Sequence, residues 1–405
     1  MRSVFDLLFA GLCHGLLYAW LVRAFPWLAA RRKRLAAALV VVVVAIPVAR
    51  LVVYRFDAGA ARVVTALVMA ELIALVLALG PLTLIRLVAH LHARREQRLQ
   101  AAAMDASLAG GKSSAPLPEA PSHPAPRVSR RVLFERTAGL AVLGASGGTV
   151  GWGVVRGRLD FQLEEVVVKI RDLPRALEGY SIVQVSDLHV GLFVREAELA
   201  RGLSLVRGAK PDLIVATGDL VDFDPRYIGL MARSLGDLGS LARDGVAAIL
   251  GNHDYYTDGI DVAEGLRAAG VRALINEHAV LRPKDGGGIV LAGVDDYAGP
   301  RFAGVGPDLA RALRDAPDGP RILLAHQPRF FDEAAGKVAL QLSGHVHGGQ
   351  VNPGFRPASY VLRYVAGRYQ ASGSTMWVNR GFGTAGPPTR VGAPPEVTKI
   401  VLVAG

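Results

Sequence analysis

At 405 residues, with 51% hydrophobic side chains and a mean hydropathy of +0.31, the chain is too apolar for an ordinary soluble protein and long enough for two or three units. The net charge of +11 would suit a nucleic-acid binder, but residues 1–158 hold 20 Lys and Arg against 7 Asp and Glu, while residues 159–405 hold 26 against 28. The positive charge therefore flanks the apolar runs of the first part, as cytoplasmic loops of membrane proteins do, and no basic patch with interleaved aromatics points to nucleic acid.

Three segments are long and apolar enough to span a bilayer: about Val4–Val22, Leu35–Tyr54 and Val63–Val88. The first contains Cys13, the only cysteine, so the rest of the chain has neither disulfide nor thiolate ligand, and Cys-type zinc sites are excluded there. Pro47 and Pro81 are compatible with spans as kinks. Glu71 lies near the middle of the third span, where an ionisable group is a functional candidate by default. No partner at matching depth is evident from sequence, so a protonated Glu71 bonded within the helix bundle is the favoured expectation.

The cluster "ARRKR" ends at Arg34, and Arg94, Arg95 and Arg98 follow the third span, whereas the loop between the second and third carries only Arg55, Asp57 and Arg62. The positive-inside rule then places the N-terminus outside and the tail after the third span in the cytoplasm. Residues 1–100 form this membrane part, and the Ala/Gly/Ser/Pro-rich residues 101–128 read as a flexible linker. Residues 129–157 begin with Arg130-Arg131 and continue as a mildly apolar, Gly-rich stretch. They fit a twin-arginine export signal, a fourth span with a basic cytoplasmic flank, or a segment lying on the membrane. The first two place residues 158–405 outside the cytoplasm and, with no Ala-x-Ala cleavage site, still tethered; the third leaves them inside.

From Val166 onward short β-branched runs alternate with helical stretches. Strands are predicted at 166–170, 181–186, 213–217, 246–250, 289–294, 321–325, 338–342, 375–379 and 399–403, with helices such as Glu196–Val206 and Val262–Ala269 between them. This is an α/β pattern, whose ligands belong beyond the C-terminal ends of the strands.

Polar clusters fall at those ends: Asp187-Leu188-His189, Gly218-Asp219, Gly251-Asn252-His253-Asp254, His326 and Gly344-His345-Val346-His347. Of the six histidines in residues 159–405, five directly follow a predicted strand, and His278 reads as a loop residue. Carboxylates, an amide and several imidazoles without a thiolate exceed the needs of one tetrahedral zinc site. They suit two divalent cations bridged by one carboxylate, a pair that lowers the pKa of bound water and stabilises an in-line displacement at phosphorus. His345 and His347, two apart in an expected extended segment, would point to the same side, with the flanking glycines letting the backbone approach.

The ordered series Asp-x-His, Gly-Asp, Gly-Asn-His-Asp, His, Gly-His-x-His resembles the calcineurin-like metallophosphoesterases over about residues 160–405. "SGHVHGGQ", with "GVDD" (293–296) and "VNRGFG" (378–383), is most similar to the membrane-linked bacterial branch of twin-arginine-exported phosphoesterases, itself similar to enzymes that cleave UDP-diacylglucosamine. The resemblance implies a four-layer α/β/β/α sandwich. It implies one cation on Asp187, His189, Asp219 and His347, and a second on Asp219, Asn252, His326 and His345, the metals being Mn2+, Fe2+ or Zn2+. His253 would be catalytic, stabilising charge or protonating the leaving group. Arg380 and Arg390 would either reach a substrate phosphate or serve the structure.

The expected function is a membrane-anchored phosphoesterase hydrolysing phosphate mono- or diesters through a metal-bridged hydroxide. It would act from a multi-pass position in a bacterial inner membrane on a substrate that is soluble or lipid-linked, with the lipid bilayer as partner. A nucleotide-lipid pyrophosphohydrolase is the second reading, although its substrate would be cytoplasmic. A non-catalytic scaffold or sensor with a relic domain is the third, but no ligand position is missing.

Overall fold

A computed structural model describes residues 2–56, 59–109, 129–281, 288–302 and 304–405. Contacts divide the chain into two units, residues 1–51 with 67–150, and residues 52–66 with 151–405.

The first unit is built from α1 (Arg2–Ala24), α2 (Pro26–Ala29) and most of α3 (Arg32–Phe56), α4 (Gly59–Ala109) and α5 (Arg130–Val155). Helices α1, α3, α4 and α5 are each long and apolar enough to cross a membrane. Pro47 and Pro81 both lie inside helices. Helix α4 has 51 residues, about 75 Å at 1.5 Å per residue, so it outruns a bilayer core. It continues to Ala109, past residue 100 where the linker was expected to begin, because "RREQRLQAAAMDASLA" is rich in strong helix formers and free of Gly and Pro. The remainder of that expected linker, 110–128, lies outside the described residues. Arg130 and Arg131 open α5 directly.

Trp20 and Ala24 of α1 pack with Ala78 and Leu82 of α4, with Val142 and Leu143 of α5 against them. A Cβ on Gly139 would collide with the Trp20 ring, so this glycine is what lets α5 approach α1. Glu71 has a partner that the sequence did not reveal: Nε2 of buried His14 on α1 stands 3.2 Å from its carboxylate, and His14 Nδ1 is 2.8 Å from Ala10 O. The pair joins α1 to α4.

In the second unit, twelve strands form two sheets: β1 (Gln162–Ile170), β2 (Ser181–Val185), β3 (Leu213–Thr217), β4 (Val246–Ile249), β5 (Arg272–Ala273), β6 (Glu277–Leu281), β7 (Ile289–Gly293), β8 (Arg321–Leu324), β9 (Leu340–Ser343), β10 (Gly367–Ala371), β11 (Ser374–Val378) and β12 (Glu396–Ala404). One sheet runs β1-β12-β2-β3-β4-β5 and the other β10-β11-β9-β8-β7-β6. Strands β2, β3 and β4 are mutually parallel, as are β7, β8, β9 and β11. The helices are α6 (Glu196–Ala209), α7 (Ile228–Gly236), α8 (Asn252–Thr257), α9 (Gly259–Ala268), α10 (Leu309–Ala312) and α11 (Phe331–Ala334).

Alternate residues of each central strand face opposite layers. Ile182, Leu213 and Ile249 join Leu291, Ile322, Leu324 and Leu340 between the sheets. Val183, Ile214 and Ala248 face the other way, onto Leu199 and Leu203 of α6, Met231 and Leu235 of α7 and Leu266 of α9. Leu323 and Ala292 pack outward onto Ala312, Phe330 and Ala334. The order is therefore helix, sheet, sheet, helix, the four-layer α/β/β/α sandwich expected. Burial on both faces explains why these strands are continuous apolar runs without alternation. His278 is not in a loop; it sits in β6, its Nδ1 2.9 Å from Ala312 O.

The His14–Glu71 pair carries a prediction for the full chain in detergent. His14→Leu and Glu71→Gln should each lower the thermal midpoint of the helical unit. Their double-mutant cycle should give a coupling of about 0.6–2 kcal/mol, the range of polar contacts between membrane helices. Additive losses in the cycle would mean that the two side chains do not interact.

Candidate metal centre

The parallel strands of both sheets end at one place. Asp187 follows β2, Asp219 follows β3, Asn252 opens α8 after β4, His326 follows β8, and His345 and His347 follow β9. Three groups have ligand atoms within 4.8 Å of one another: Asp187 with His189 and His347; His189 with Asp219 and His253; and Asp219 with His326 and His345.

The segment after β9 is not extended. His345 has φ 73° and His347 φ 53°, and His347 begins a short 3-10 turn through Gly349. Asp187, His189 and Asp219 also have positive φ, at 54°, 47° and 53°. Left-handed backbone is unfavourable for side chains with a Cβ, and such residues cluster where the structure demands a particular aim. Here it turns each side chain back over the strand ends. It also sends the two histidines to different groups, His347 to Asp187 and His189, and His345 to Asp219 and His326. Same-side projection from an extended segment, as expected from the spacing, is therefore not how they arrive. Close approach does hold: a Cβ on Gly344 would run into Ser186 Oγ and Asp187 Oδ2, and one on Gly251 into Asp219.

The distances match those within a coordination shell. Donors about 2.1 Å from a shared cation, at angles of 90–109°, stand about 3.0–3.4 Å apart. His189 Nε2 lies 3.1 Å from His347 Nε2, and His347 Nε2 3.4 Å from Asp187 Oδ1. His326 Nε2 lies 3.2 Å from both His345 Nδ1 and Asp219 Oδ2. Asp219 Oδ2 is also 3.7 Å from His189 Nε2, so one oxygen faces both groups while Oδ1 accepts the His253 N–H at 2.7 Å. Buried Asn252 Oδ1 has no hydrogen-bond donor among the described residues. An unpartnered buried carbonyl on the residue before His253, whose N–H bonds Asp219, fits the donor set of a cation site.

The electrostatics divide the histidines: burial opposes protonation of His326 and His189, but neighbouring carboxylates outweigh it, Asp219 holding His326 well above its ordinary value and Asp222 raising His189 to about 9, a positive charge that a bound cation would replace. Burial, and then His326, push His345 down to about 3; burial, His189 and Arg390 hold His347 well below the usual range, which favours the neutral form that could take a cation. Burial raises the Asp187 carboxyl, and burial plus neighbouring Asp219 bring Asp254 up to about 7. Burial also opposes ionisation of Asp219, but His326 and His253 outweigh it and keep the carboxyl well below its ordinary value. His326 Nδ1 lies 2.8 Å from Thr217 O and donates to it, which fixes the tautomer and leaves Nε2 for a cation.

Two contributors, Asp222 and Asp254, were given no role from sequence, and the role of Arg390 was left open between two alternatives. Asp222, three residues after Asp219, contacts His253 Nδ1 at 2.7 Å and His189 Nδ1 at 3.5 Å. Its carboxyl is lowered to about 2: burial opposes ionisation, but the bonds to these two histidines prevail. The Gly-Asp-x-x-Asp spacing could have drawn attention to it. Asp254, visible in the Gly-Asn-His-Asp block, accepts from Leu220, Val221 and Gly251 N–H groups at 2.8, 3.0 and 2.8 Å, pinning the β3 loop to α8. Arg390 is fully buried and donates to the carbonyls of Arg380, Gly381, Gly383 and Ala393, with Nη2 3.0 Å from His347 Nδ1. Arg380 pairs with Glu396 at 2.8 Å and Glu164 at 3.4 Å. Both arginines are engaged by the protein, which favours the structural alternative over contact with substrate phosphate.

The profile of the calcineurin-like phosphoesterase family matches residues 180–349, a span that holds every residue of the three groups. Over 261 residues the chain is 36% identical to a transmembrane protein with metallophosphoesterase domain from Danio rerio, covering 62% of this chain and 59% of that one. It is 34% identical over 251 residues to an uncharacterized metallophosphoesterase of Aquifex aeolicus, covering 60% of this chain and 92% of the relative. The uncharacterized metallophosphoesterase YkuE of Bacillus subtilis is 32% identical over 296 residues, 68% of this chain and 98% of the relative. The chain thus spans less than two thirds of the fish protein but nearly all of the two bacterial ones. Near-complete coverage of such relatives, on a sandwich whose strand ends gather these aspartates and histidines, makes the chain a member of the calcineurin-like metallophosphoesterase family.

Proposed function

We propose that the chain is a membrane-anchored phosphoesterase that hydrolyses phosphate mono- or diesters with two divalent cations. The observation that carries this reading is Asp219 Oδ2, which stands 3.2 Å from one imidazole group and 3.7 Å from the other. Asp187, His189 and His347 would hold one cation with Asp219, and Asn252, His326 and His345 the other; Mn2+, Fe2+ and Zn2+ all suit oxygen and imidazole donors. When bound, such a pair supplies Lewis-acid stabilisation of phosphoryl charge and a water acidified to near neutrality.

The chain's own residues supply the rest. Asp222 holds His253 through Nδ1, leaving Nε2 free to give a proton to a leaving oxygen or to stabilise its charge. The backbone N–H of His253 fixes Asp219 Oδ1, so the same loop sets both the shared carboxylate and the acid.

The membrane half supports a multi-pass protein in a bacterial inner membrane. We read α5 as a fourth span, because it is a continuous 26-residue helix beginning at the arginine pair. With Arg31–Arg34, Arg94–Arg98 and Arg130–Arg131 inside, residues 158–405 lie outside the cytoplasm. A reporter active only outside the cytoplasm, fused after Gly405, should be active, and Arg130→Lys with Arg131→Lys should change this little. Loss of export in that variant would favour the twin-arginine alternative, and activity of a cytoplasmic reporter would reverse the topology.

Catalysis is tested by residue. His253→Ala should lower turnover about a hundred- to ten-thousandfold with cation content nearly normal. Asp222→Asn should lower turnover less and weaken the cation beside His189 about 10–100-fold, as loss of a carboxylate behind a ligating imidazole does. Metal lost in step with activity in His253→Ala would make His253 a ligand.

Asp219→Asn should empty both cation sites or leave one far weaker, whereas Asn252→Ala and His326→Ala should empty chiefly one. Elemental analysis of the purified variants distinguishes the patterns. Two tightly held cations in Asp219→Asn would remove the shared-carboxylate arrangement.

A further inference from the structure

Beside the metal centre, Tyr360 and Val361 are 81% and 82% exposed, and Phe355 and Leu362 are 56% and 45% exposed. Consecutive large apolar side chains held in water are costly unless something covers them. The segment 350–371 contains Arg356, Arg363 and Arg368 but no Asp or Glu. Arg363 meets one carboxylate from elsewhere, Asp332, at 2.9 Å on the surface. Aromatic and aliphatic tips flanked by arginines are the composition of surfaces that enter the headgroup region of anionic membranes.

The position of this crest names its occupant. Its base is fixed to the ligand turn, because Asn352 Nδ2 donates to Gly348 O at 3.0 Å and Gly349 abuts Ala358 and Arg356. Val351 bridges to Val391, and Asn352 N donates to Val391 O at 2.7 Å. The next residue back, Arg390, donates its N–H to Gly153 O at 3.3 Å, and Gly153 lies in the last turns of α5, within the same unit. The crest, the ligand turn of His347 and the end of an apolar span therefore share one edge of the sandwich. With α5 read as a fourth span, that edge is where the chain would leave a bilayer.

We propose that Phe355 and Tyr360–Leu362 form a docking crest that dips into the surface of an anionic phospholipid bilayer and holds the metal centre at the headgroup level. Docking is independent of the catalytic reading. The consequence for substrate, a preference for phosphoesters carried on membrane lipids, rests on it.

The test uses the full chain with Cys13→Ala in nanodiscs of phosphatidylcholine and phosphatidylglycerol. An environment-sensitive fluorophore on Val361→Cys should be quenched at least about twofold by nitroxide-bearing acyl chains, as expected for insertion about 5–10 Å into the interface. The same fluorophore on exposed Ala176→Cys, before β2 at the opposite end of that strand from Asp187, should keep its emission. An unquenched label at 361, as also results if a protein partner covers the crest in the cell, overturns the proposal.

A second arm pairs Tyr360→Asp with Val361→Asp. Hydrolysis of a lipid-borne phosphoester in the disc should fall at least about fivefold, because the tethered site loses effective concentration at the surface, while a soluble aryl phosphate is turned over as before. Equal losses on both substrates overturn the substrate preference. If the parent chain hydrolyses neither, the phosphoesterase reading fails while the quenching result stands alone.

Discussion

One carboxylate oxygen facing two sets of imidazoles is the constraint on which the α/β unit depends. Asp219 Oδ2 has His326 Nε2 at 3.2 Å on one side and His189 Nε2 at 3.7 Å on the other. Asp187 and Asp219 are fully buried, and Asp222 and Asp254 stand nearby. Gathering so many anionic groups away from water is unfavourable unless positive charge is present. The surrounding arrangement has the features of a site kept for cations: His345 and His347 held below their ordinary values by burial, His326 bonded through Nδ1 to Thr217 O with Nε2 towards Asp219, and an unpartnered Asn252 carbonyl.

Neither sheet could build this centre alone. Asp187, His189, Asp219 and Asn252 come from the ends of β2, β3 and β4, and His326, His345 and His347 from the ends of β8 and β9. The sheets are locked in register at the site by polar contacts as well as by the apolar layer between them. Gln184 Nε2 donates to Thr217 Oγ1 at 2.9 Å and to Ser343 O at 3.0 Å, and the Asp187 carboxylate accepts the His345 N–H at 2.9 Å. A shift of either sheet by a fraction of a residue would separate the two groups of side chains. Arg390 extends the same lock to the end of α5, since its side chain reaches His347 and its backbone reaches Gly153.

Where sequence and structure part, the cause is tertiary. The β5, β6 and β10 strands were not foreseen. β5 is two residues long, while β6 and β10 are half-exposed edge strands lacking the apolar run of a central strand. His278 looked like a loop residue for that reason. The partner of Glu71 lies 57 positions away on another helix, and nothing local marks His14 as facing it. Asp222 acquires its role only when the α8 turn brings His253 to within 2.7 Å.

The sequence alone determined the division into apolar helices and an α/β unit, because helical hydrophobic length and β-branched runs bounded by polar clusters are local properties of the chain. It also determined the chemical character of the centre, since five Asp, Asn and His clusters at strand ends restrict what those ends can hold. Only the tertiary structure decided how the donors are shared. The left-handed backbone at Asp187, His189, Asp219, His345 and His347, a conformation Asp and His adopt more often than most residues, turns a list of polar residues into two facing groups only in the folded chain. The grouping of the crest, the turn of His347 and the end of α5 on one edge is tertiary as well: it depends on contacts between segments about forty residues apart, at Val351 and Val391, and over two hundred apart, at Gly153 and Arg390.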